Sequence, residues 1–253
     1  MHELTADVAA ARAIGASFLV VGFDAPAIAR DARAGQFVNL LLRPGPLLRR
    51  PFSVYRVVGD LVEVIYRPVG AGTRQMAELR IGDRVSMLGP LGRGFDFREE
   101  WAEVALVSGG LGVAPMPLAA RDAAASGLRV HWVHGARTAP ELCEEWSGDE
   151  VVYATDDGSR GVHGSVVSAI PAGVQAVLAC GPNAMLAAVA ERFPAAQVAL
   201  ETYMGCGTGV CLGCAVPRTS GVYDRACSEG PVYPAGTIDW EALPSRLHYE
   251  AAG

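Results

Sequence analysis

The sequence contains no lysine: all 21 of its basic residues are arginine. Beside the richness in alanine this reads as a coding bias, and it lowers the functional weight of any one arginine. A basic balance is missing too. The formal net charge is −6, and no basic stripe or block of like charge stands out. That excludes the electrostatic footprint of a nucleic-acid binder. No apolar run is long enough to span a bilayer. Met1 to Arg12 carries acidic groups and no apolar h-region, so it does not read as a signal peptide, and a cytoplasmic location is expected. There is no internal repeat and no low-complexity linker. The HExxH, GxSxG and Walker patterns are also absent.

What is present is a chain of 253 residues, 51% of them hydrophobic, which can bury a sizeable core and is not expected to be disordered. Length alone suggests one or two domains, at ~150 residues each. The texture changes twice. Up to about Phe97, short Val, Leu, Phe and Tyr runs are separated by Gly, Pro and Asp. Strands are expected at Phe18–Phe23, Gln36–Leu42, Ser53–Val58, Leu61–Arg67 and Arg84–Gly89, with a tight hairpin at Val58-Gly59-Asp60-Leu61. This spacing suggests an antiparallel barrel.

From Trp101 to Leu200 strands alternate with helices. Val104–Val107, Val130–Val133, Val151–Thr155, Val177–Ala179 and Gln197–Leu200 read as strands. A stretch ending at Ala125 and another from Asn183 to Arg192 read as helices. This order implies a doubly wound parallel sheet. From Glu201 the chain is rich in Gly, Cys and Pro, too small for a core of its own and in need of a staple. The expected division is a β-barrel at 1–98, an α/β domain at 99–200 and a small cysteine module at 201–253.

Four of the six cysteines crowd into that module: Cys206-x4-Cys211-x2-Cys214, then Cys227 after twelve intervening residues. In a cytosolic chain such a cluster reads as metal binding rather than disulfides. The first three match plant-type [2Fe–2S] spacing with a distant fourth ligand. Gly205, Gly207, Gly209 and Gly213 free the loop to turn sharply and bring N–H groups toward the sulfurs. A zinc site would prefer paired C-x2-C units, and no histidine lies within the segment to suggest a Rieske centre.

Two further motifs stand out. Arg50-Pro51-Phe52-Ser53 opens a strand with a guanidinium able to grip a pyrophosphate bidentately beside an aromatic ring; alone it reads as an ordinary strand entry. It is joined by Tyr66-Arg67-Pro68-Val69-Gly70-Ala71-Gly72-Thr73, where Thr73 is expected to cap a short helix through Leu79 and to offer an anion site. Ser108-Gly109-Gly110-Leu111-Gly112-Val113-Ala114-Pro115 follows a strand and opens a helix, as a dinucleotide-binding turn does. It pairs with Cys180-Gly181-Pro182-Asn183, and both turns fall at the carboxyl ends of parallel strands.

Taken in order, these motifs resemble the ferredoxin–NADP reductase superfamily over nearly the whole chain. Ala34-Gly35-Gln36-Phe37-Val38, Leu88-Gly89-Pro90-Leu91-Gly92-Arg93-Gly94-Phe95 and Thr155-Asp156-Asp157-Gly158-Ser159 are similar to family segments. The terminal cysteine module is most similar to that of electron-transfer subunits of the two-subunit, NAD-dependent dihydroorotate dehydrogenases. The resemblance implies FAD in the barrel on Arg50, Pro51, Phe52, Ser53, Ile65, Tyr66, Arg67, Gly72 and Thr73. It implies NAD(H) at Gly109, Gly110, Gly112, Cys180, Gly181 and Pro182, with Cys180 lining the nicotinamide. It implies a [2Fe–2S] cluster on Cys206, Cys211, Cys214 and Cys227. It further implies an FMN-containing catalytic partner that oxidises dihydroorotate, in a heterotetramer of two of each subunit. No acid–base residue is expected, because a flavin between a two-electron nicotinamide and a one-electron cluster is the natural converter.

Other signals are weaker. Without the resemblance, Cys180 is a small residue at a strand end and Asp156-Asp157-Gly158 an ordinary turn. Cys143, among acidic residues, is expected to be inert. His131, His134 and His163 show no ligand spacing. Tyr203 and Met204 pack near the flavin or anchor the tail. Arg137 follows the second α/β strand, where a 2′-phosphate is read, but with every basic residue an arginine it is no sign of NADP. Two other functions fit the motifs: a diaphorase subunit of a hydrogenase, sulfite reductase or ferredoxin–NADP oxidoreductase complex, and a non-catalytic iron–sulfur redox sensor.

Overall fold

The computed structural model describes residues 1–45, 47–145 and 151–244 of the chain. The last residues of the expected cysteine module, 245–253, lie outside the described residues.

Alternation of small apolar and polar residues builds the first strand, β1 (His2–Ile14), which buries Ala6, Val8 and Ile14 while Thr5 and Asp7 face out. This strand is absent from those expected by pattern, because Ala9, Ala10, Ala11 and Ala13 are weak strand formers. β2 (Phe18–Asp24) pairs with it, followed by α1 (Pro26–Asp31), β3 (Phe37–Leu41), β4 (Arg50–Ser53), β5 (Arg56–Val58), β6 (Leu61–Tyr66), α2 (Ala71–Met76) and β7 (Arg84–Leu91). The sheet order is β4-β3-β7-β1-β2-β6-β5, antiparallel throughout.

The two edge strands, β4 and β5, are joined only by Val54 and Tyr55, so the sheet must roll until its edges meet. The expected single strand Ser53–Val58 is therefore two strands. Both linking residues are fully buried, and their N–H groups donate to Gln36 and Glu63 on opposite sides of the seam. The hairpin at Gly59-Asp60 forms as expected, with Val58 opposite Leu61 and Gly59 at φ +59°. The helix at 71–76 differs from expectation at both ends. Gly70, not Thr73, is the N-cap, and the helix stops at Met76 rather than Leu79.

The second sheet contains β8 (Glu103–Gly109), β9 (Arg129–Ala136), β10 (Val151–Thr155), β11 (Val162–His163), β12 (Ala176–Cys180) and β13 (Gln197–Ala199), all parallel, with α3 (Met116–Ala125) and α4 (Asn183–Arg192) between them. Its order, β11-β10-β9-β8-β12-β13, reverses direction between β8 and β12. Beyond Leu200 come β14 (Ala215–Pro217), β15 (Tyr223–Arg225) and β16 (Val232–Pro234). β14 and β15 form a hairpin, while β16 pairs antiparallel with β13 and extends the parallel sheet. Cys214, Val216, Cys227, Tyr233 and Ile238 are buried in the same apolar cluster as Val107, Leu186 and Val198. The cysteine segment thus borrows a core it is too short to build.

Barrel and α/β unit share a second apolar cluster, in which Phe23, Leu40 and Tyr66 join Leu106, Met116 and Leu118. Polar ties reinforce it. Glu145 accepts from Arg12 at 2.8 Å and Arg56 at 3.2 Å, and also from the Tyr55 hydroxyl, while Arg12 forks onto Glu63.

Candidate functional site

β4 sets Arg50, Pro51, Phe52 and Ser53 opposite Leu40, Asn39, Val38 and Phe37 of β3, and leaves all four half-buried. Phe52 meets Tyr66 edge-on, with ring centroids 6.0 Å apart. Ile65 and Tyr66 are buried, and burial pushes the Tyr66 hydroxyl up to about 12. Arg67 stacks 4.2 Å above Phe18 and donates from Nη2 to the Glu141 carbonyl at 2.9 Å. Its Nε–H is buried without a hydrogen-bond partner. A buried donor left unmade costs about 1–3 kcal/mol, so this spot suits a ligand acceptor. Arg50 donates to the Leu48 carbonyl at 3.0 Å, a contact an anion can replace at little cost.

Beyond the strand, Thr73 Oγ1 accepts from the N–H groups of Val69 at 2.8 Å and Gly70 at 3.0 Å. The threonine therefore braces the turn from inside the first helical turn. Gly72 is buried in that turn.

The glycine-rich turn after β8 and the Cys180-Gly181-Pro182 turn after β12 lie side by side, because Ser108 and Cys180 are register partners. A Cβ on Gly112 would collide with the Cys180 carbonyl, so only glycine lets the two turns approach. They sit at the carboxyl ends of β8 and β12, where the strand order reverses, which is where open α/β sheets bind ligands. Burial, with Glu201 adding to it, pushes the Cys180 thiol up to about 12, so it is a neutral lining group.

Beneath this crevice is a network that pattern reasoning did not find. His134 is fully buried, accepts from the Cys143 N–H at 3.1 Å and bonds Ser108 Oγ at 2.9 Å. Trp132 donates to the same hydroxyl at 3.3 Å. Burial lowers His134 to about 4, so the ring is neutral. The expectation of scattered histidines concerned ligand spacing, which gives no hint of a histidine serving β8 from β9. Cys143 is buried and its thiol is pushed up to about 12 by burial and then Glu145, in keeping with an inert residue.

Cys206, Cys211 and Cys214 lie in the loop before β14 and Cys227 just after β15, so the β14–β15 hairpin returns the fourth cysteine to the side of the third. Cys214 and Cys227 are buried, with sulfurs 3.3 Å apart. Gly209 N–H points at Cys227 Sγ from 3.1 Å, and the N–H groups of Thr208 and Cys211 point at Cys206 Sγ from 3.4 Å. Although burial opposes it, these donors lower the Cys206 thiol to about 6, a thiolate at neutral pH. Burial raises Cys214 to about 11, and its neighbour Cys227 contributes. Among the described residues no three His, Cys, Asp or Glu groups surround a single ion point. The close Cys214–Cys227 pair and the N–H groups aimed at sulfur suit a group of two irons, each taking two thiolates. Leu212, between two of the cysteines, adopts φ +59°, the only non-glycine residue with positive φ among the described residues. Such strain is tolerated where a loop must aim side chains at a ligand.

Asn39 was also missed. It is 1% exposed, lies opposite Pro51, and donates to the Cys206 carbonyl at 3.2 Å, so the cysteine loop hangs from the barrel strand beside Arg50–Ser53. A lone amide in the run Phe37-Val38-Asn39-Leu40-Leu41 is the signal that was available.

Residues 201–239 match the family model for the iron–sulfur cluster binding domain of dihydroorotate dehydrogenase B. The chain is 39% identical over 241 residues to the electron transfer subunit of dihydroorotate dehydrogenase B (NAD(+)) from Desulforamulus reducens, covering 87% of this chain and 91% of that protein. The corresponding subunit of Clostridium perfringens is 37% identical, over 85% of this chain and 91% of its own. Among solved structures, an NADH-dependent reduced ferredoxin–NADP oxidoreductase superposes with a TM-score of 0.85 at 26% identity, over 96% of this chain and 92% of that one. Phthalate dioxygenase reductase shares the fold, with a TM-score of 0.63 at 19% identity over 92% and 77% of the chains.

Proposed function

The chain belongs to the electron-transfer subunit family of NAD-dependent dihydroorotate dehydrogenase B, and we propose that it exchanges electrons with an FMN-containing catalytic subunit that oxidises dihydroorotate. It is an oxidoreductase subunit that uses FAD, NAD(H) and a [2Fe–2S] cluster. The proposed complex contains two copies of each subunit and works in the cytoplasm. The proposed divisions are an FAD barrel at 1–98, a nucleotide domain at 99–200 and a cluster module at 201–253.

FAD bound at the barrel converts between the two-electron nicotinamide and the one-electron cluster. The rest is positioning by this chain. Arg50 and the turn at Gly72-Thr73 are proposed to hold the pyrophosphate of FAD, with Pro51, Phe52, Ser53, Ile65 and Tyr66 walling the flavin and Arg67 donating to it. Gly109, Gly110 and Gly112, with Cys180, Gly181 and Pro182, are proposed to seat NAD(H) at the strand-order reversal, which excludes water from beside the flavin. Cys206, Cys211, Cys214 and Cys227 are proposed to ligate the cluster. The observation that most supports this reading is the bond from Asn39 to Cys206, because it sets the cluster loop against the flavin strand.

The purified chain combined with its candidate catalytic subunit should catalyse dihydroorotate-dependent reduction of NAD⁺. A diaphorase subunit of a ferredoxin–NADP oxidoreductase complex is the second reading, favoured by the 0.85 superposition. Undiminished NADH oxidation with an artificial acceptor, but no coupling to dihydroorotate, would select it.

A further inference from the structure

Arg137 is the first residue past β9, the strand beside β8 and its glycine-rich turn. In doubly wound dinucleotide folds this position lies by the adenosine ribose, where a carboxylate accepts from the 2′-hydroxyl or an arginine receives a 2′-phosphate. Here the guanidinium is already engaged. Glu141 takes it bidentately, Oε1 to Nη2 at 2.5 Å and Oε2 to Nε at 3.0 Å. The glutamate is the fixed member of the pair. Its side chain is 26% exposed against 67% for Arg137, and its carbonyl is held from the barrel by Arg67. The Arg137 guanidinium holds the Glu141 carboxyl below its ordinary range, so it is ionised at neutral pH.

The surroundings add negative charge and stiffness. Asp156 and Asp157 follow β10, and their N–H groups donate to the carbonyls of Ala136 and Arg137 at 3.1 and 3.2 Å. The Asp157 carboxylate is held by the Ser159 N–H and hydroxyl, and Ser159 Oγ in turn accepts from the Ala139 N–H at 2.8 Å. A 2′-phosphate entering this corner would meet the carboxylates of Glu141, Asp156 and Asp157, with the Arg137 guanidinium already forked onto the nearest of them and the Arg67 guanidinium behind it engaged on the Glu141 carbonyl.

We propose that Glu141 is the residue that selects NAD(H) over NADP(H): it removes Arg137 from service as a phosphate receptor and repels the 2′-phosphate itself. This rests on the nucleotide site proposed above. The arginine that would ordinarily signal NADP is thereby silenced by its neighbour four residues on. A hydroxyl at the 2′ position carries no charge and can donate to a carboxylate, so the same corner accepts NADH.

The test uses the FAD-loaded chain and follows reduction of its own flavin by NADH and by NADPH, alongside calorimetric binding of AMP and 2′-phospho-AMP. Glu141→Gln, which is isosteric and keeps the carbonyl bonded by Arg67, and Glu141→Ala should each raise the NADPH/NADH ratio of specificity constants roughly tenfold, the value of one recovered charge-assisted contact. Both should tighten 2′-phospho-AMP relative to AMP. Adding Arg137→Ala to Glu141→Ala should erase the gain. Ratios that stay within about threefold of wild type in flavin-retaining variants, or a gain that survives loss of Arg137, would overturn the proposal. Failure of the wild-type chain's flavin to be reduced by NADH would instead overturn the nucleotide-site reading, and is seen before any variant is made.

Discussion

Asn39 Nδ2 donates to the carbonyl of Cys206 across 3.2 Å, joining the middle of a barrel strand to the first cysteine of the cluster loop. The approach depends on Gly207, at φ +73°, because a Cβ there would collide with the Asn39 amide. Asn39→Ala should leave the Cys206 carbonyl without this donor and cost about 1–3 kcal/mol. The expected readout is severalfold faster loss of iron–sulfur absorption in chelator, with FAD content unchanged. Equal loss rates would show that the bond does not hold the loop.

Cys214 and Cys227 form the close sulfur pair of the loop. Cys214→Ser should bleach the cluster's visible absorption while NADH still reduces the chain's own FAD, since the hydride step does not need the cluster. Electron delivery to the partner subunit should fail. Wild-type delivery by this variant would disprove the relay.

Arg50 supplies one of two proposed pyrophosphate contacts, so the flavin released by acid should be FAD, which a column separates from FMN. Arg50→Ala should lower FAD retention by about tenfold. Arg50→Lys should rescue it only in part, because an ammonium cannot fork. Full retention by Arg50→Ala would remove this residue from the site.

His134 gives a pH dependence with a definite sign. Its pKa in the fold is about 4 because of burial, against 6.5 in the unfolded chain. As pH falls the unfolded state takes the proton first, so the contribution of the neutral ring is complete above pH 6.5. It is lost progressively as pH drops toward 4, a loss on the order of 3 kcal/mol. Urea titrations from pH 7.5 to 4.5 should show this limb, and His134→Gln should lack it.

Much of this protein was legible along the chain. Cysteine spacing, the Arg50–Ser53 motif and the two glycine-bearing turns are local features, and so are strands such as Val151–Thr155, whose bounds match the pattern. Alanine hid β1, because a small side chain carries almost no strand preference even where alternation is clear. The break between β4 and β5 was hidden for a different reason. Val54 and Tyr55 are as apolar as strand residues, and they are buried because they cross the barrel seam.

The sequence by itself determined which groups were available: four thiols with cluster spacing, flexible glycines at strand ends, and arginine wherever a positive charge was needed. Only the tertiary structure decided which of those groups are engaged. Glu141 occupies Arg137, burial holds His134 neutral between Ser108 and Cys143, and Asn39 reaches a cysteine far along the chain. The physical reason is distance. Spacing along the chain sets which atoms a loop can aim, but pairing of a charge or a buried amide depends on neighbours that meet only when separate elements pack. The cysteine segment shows both sides of this, since its ligand pattern is written in a short stretch while its core comes from β13 and α4 of the sheet domain.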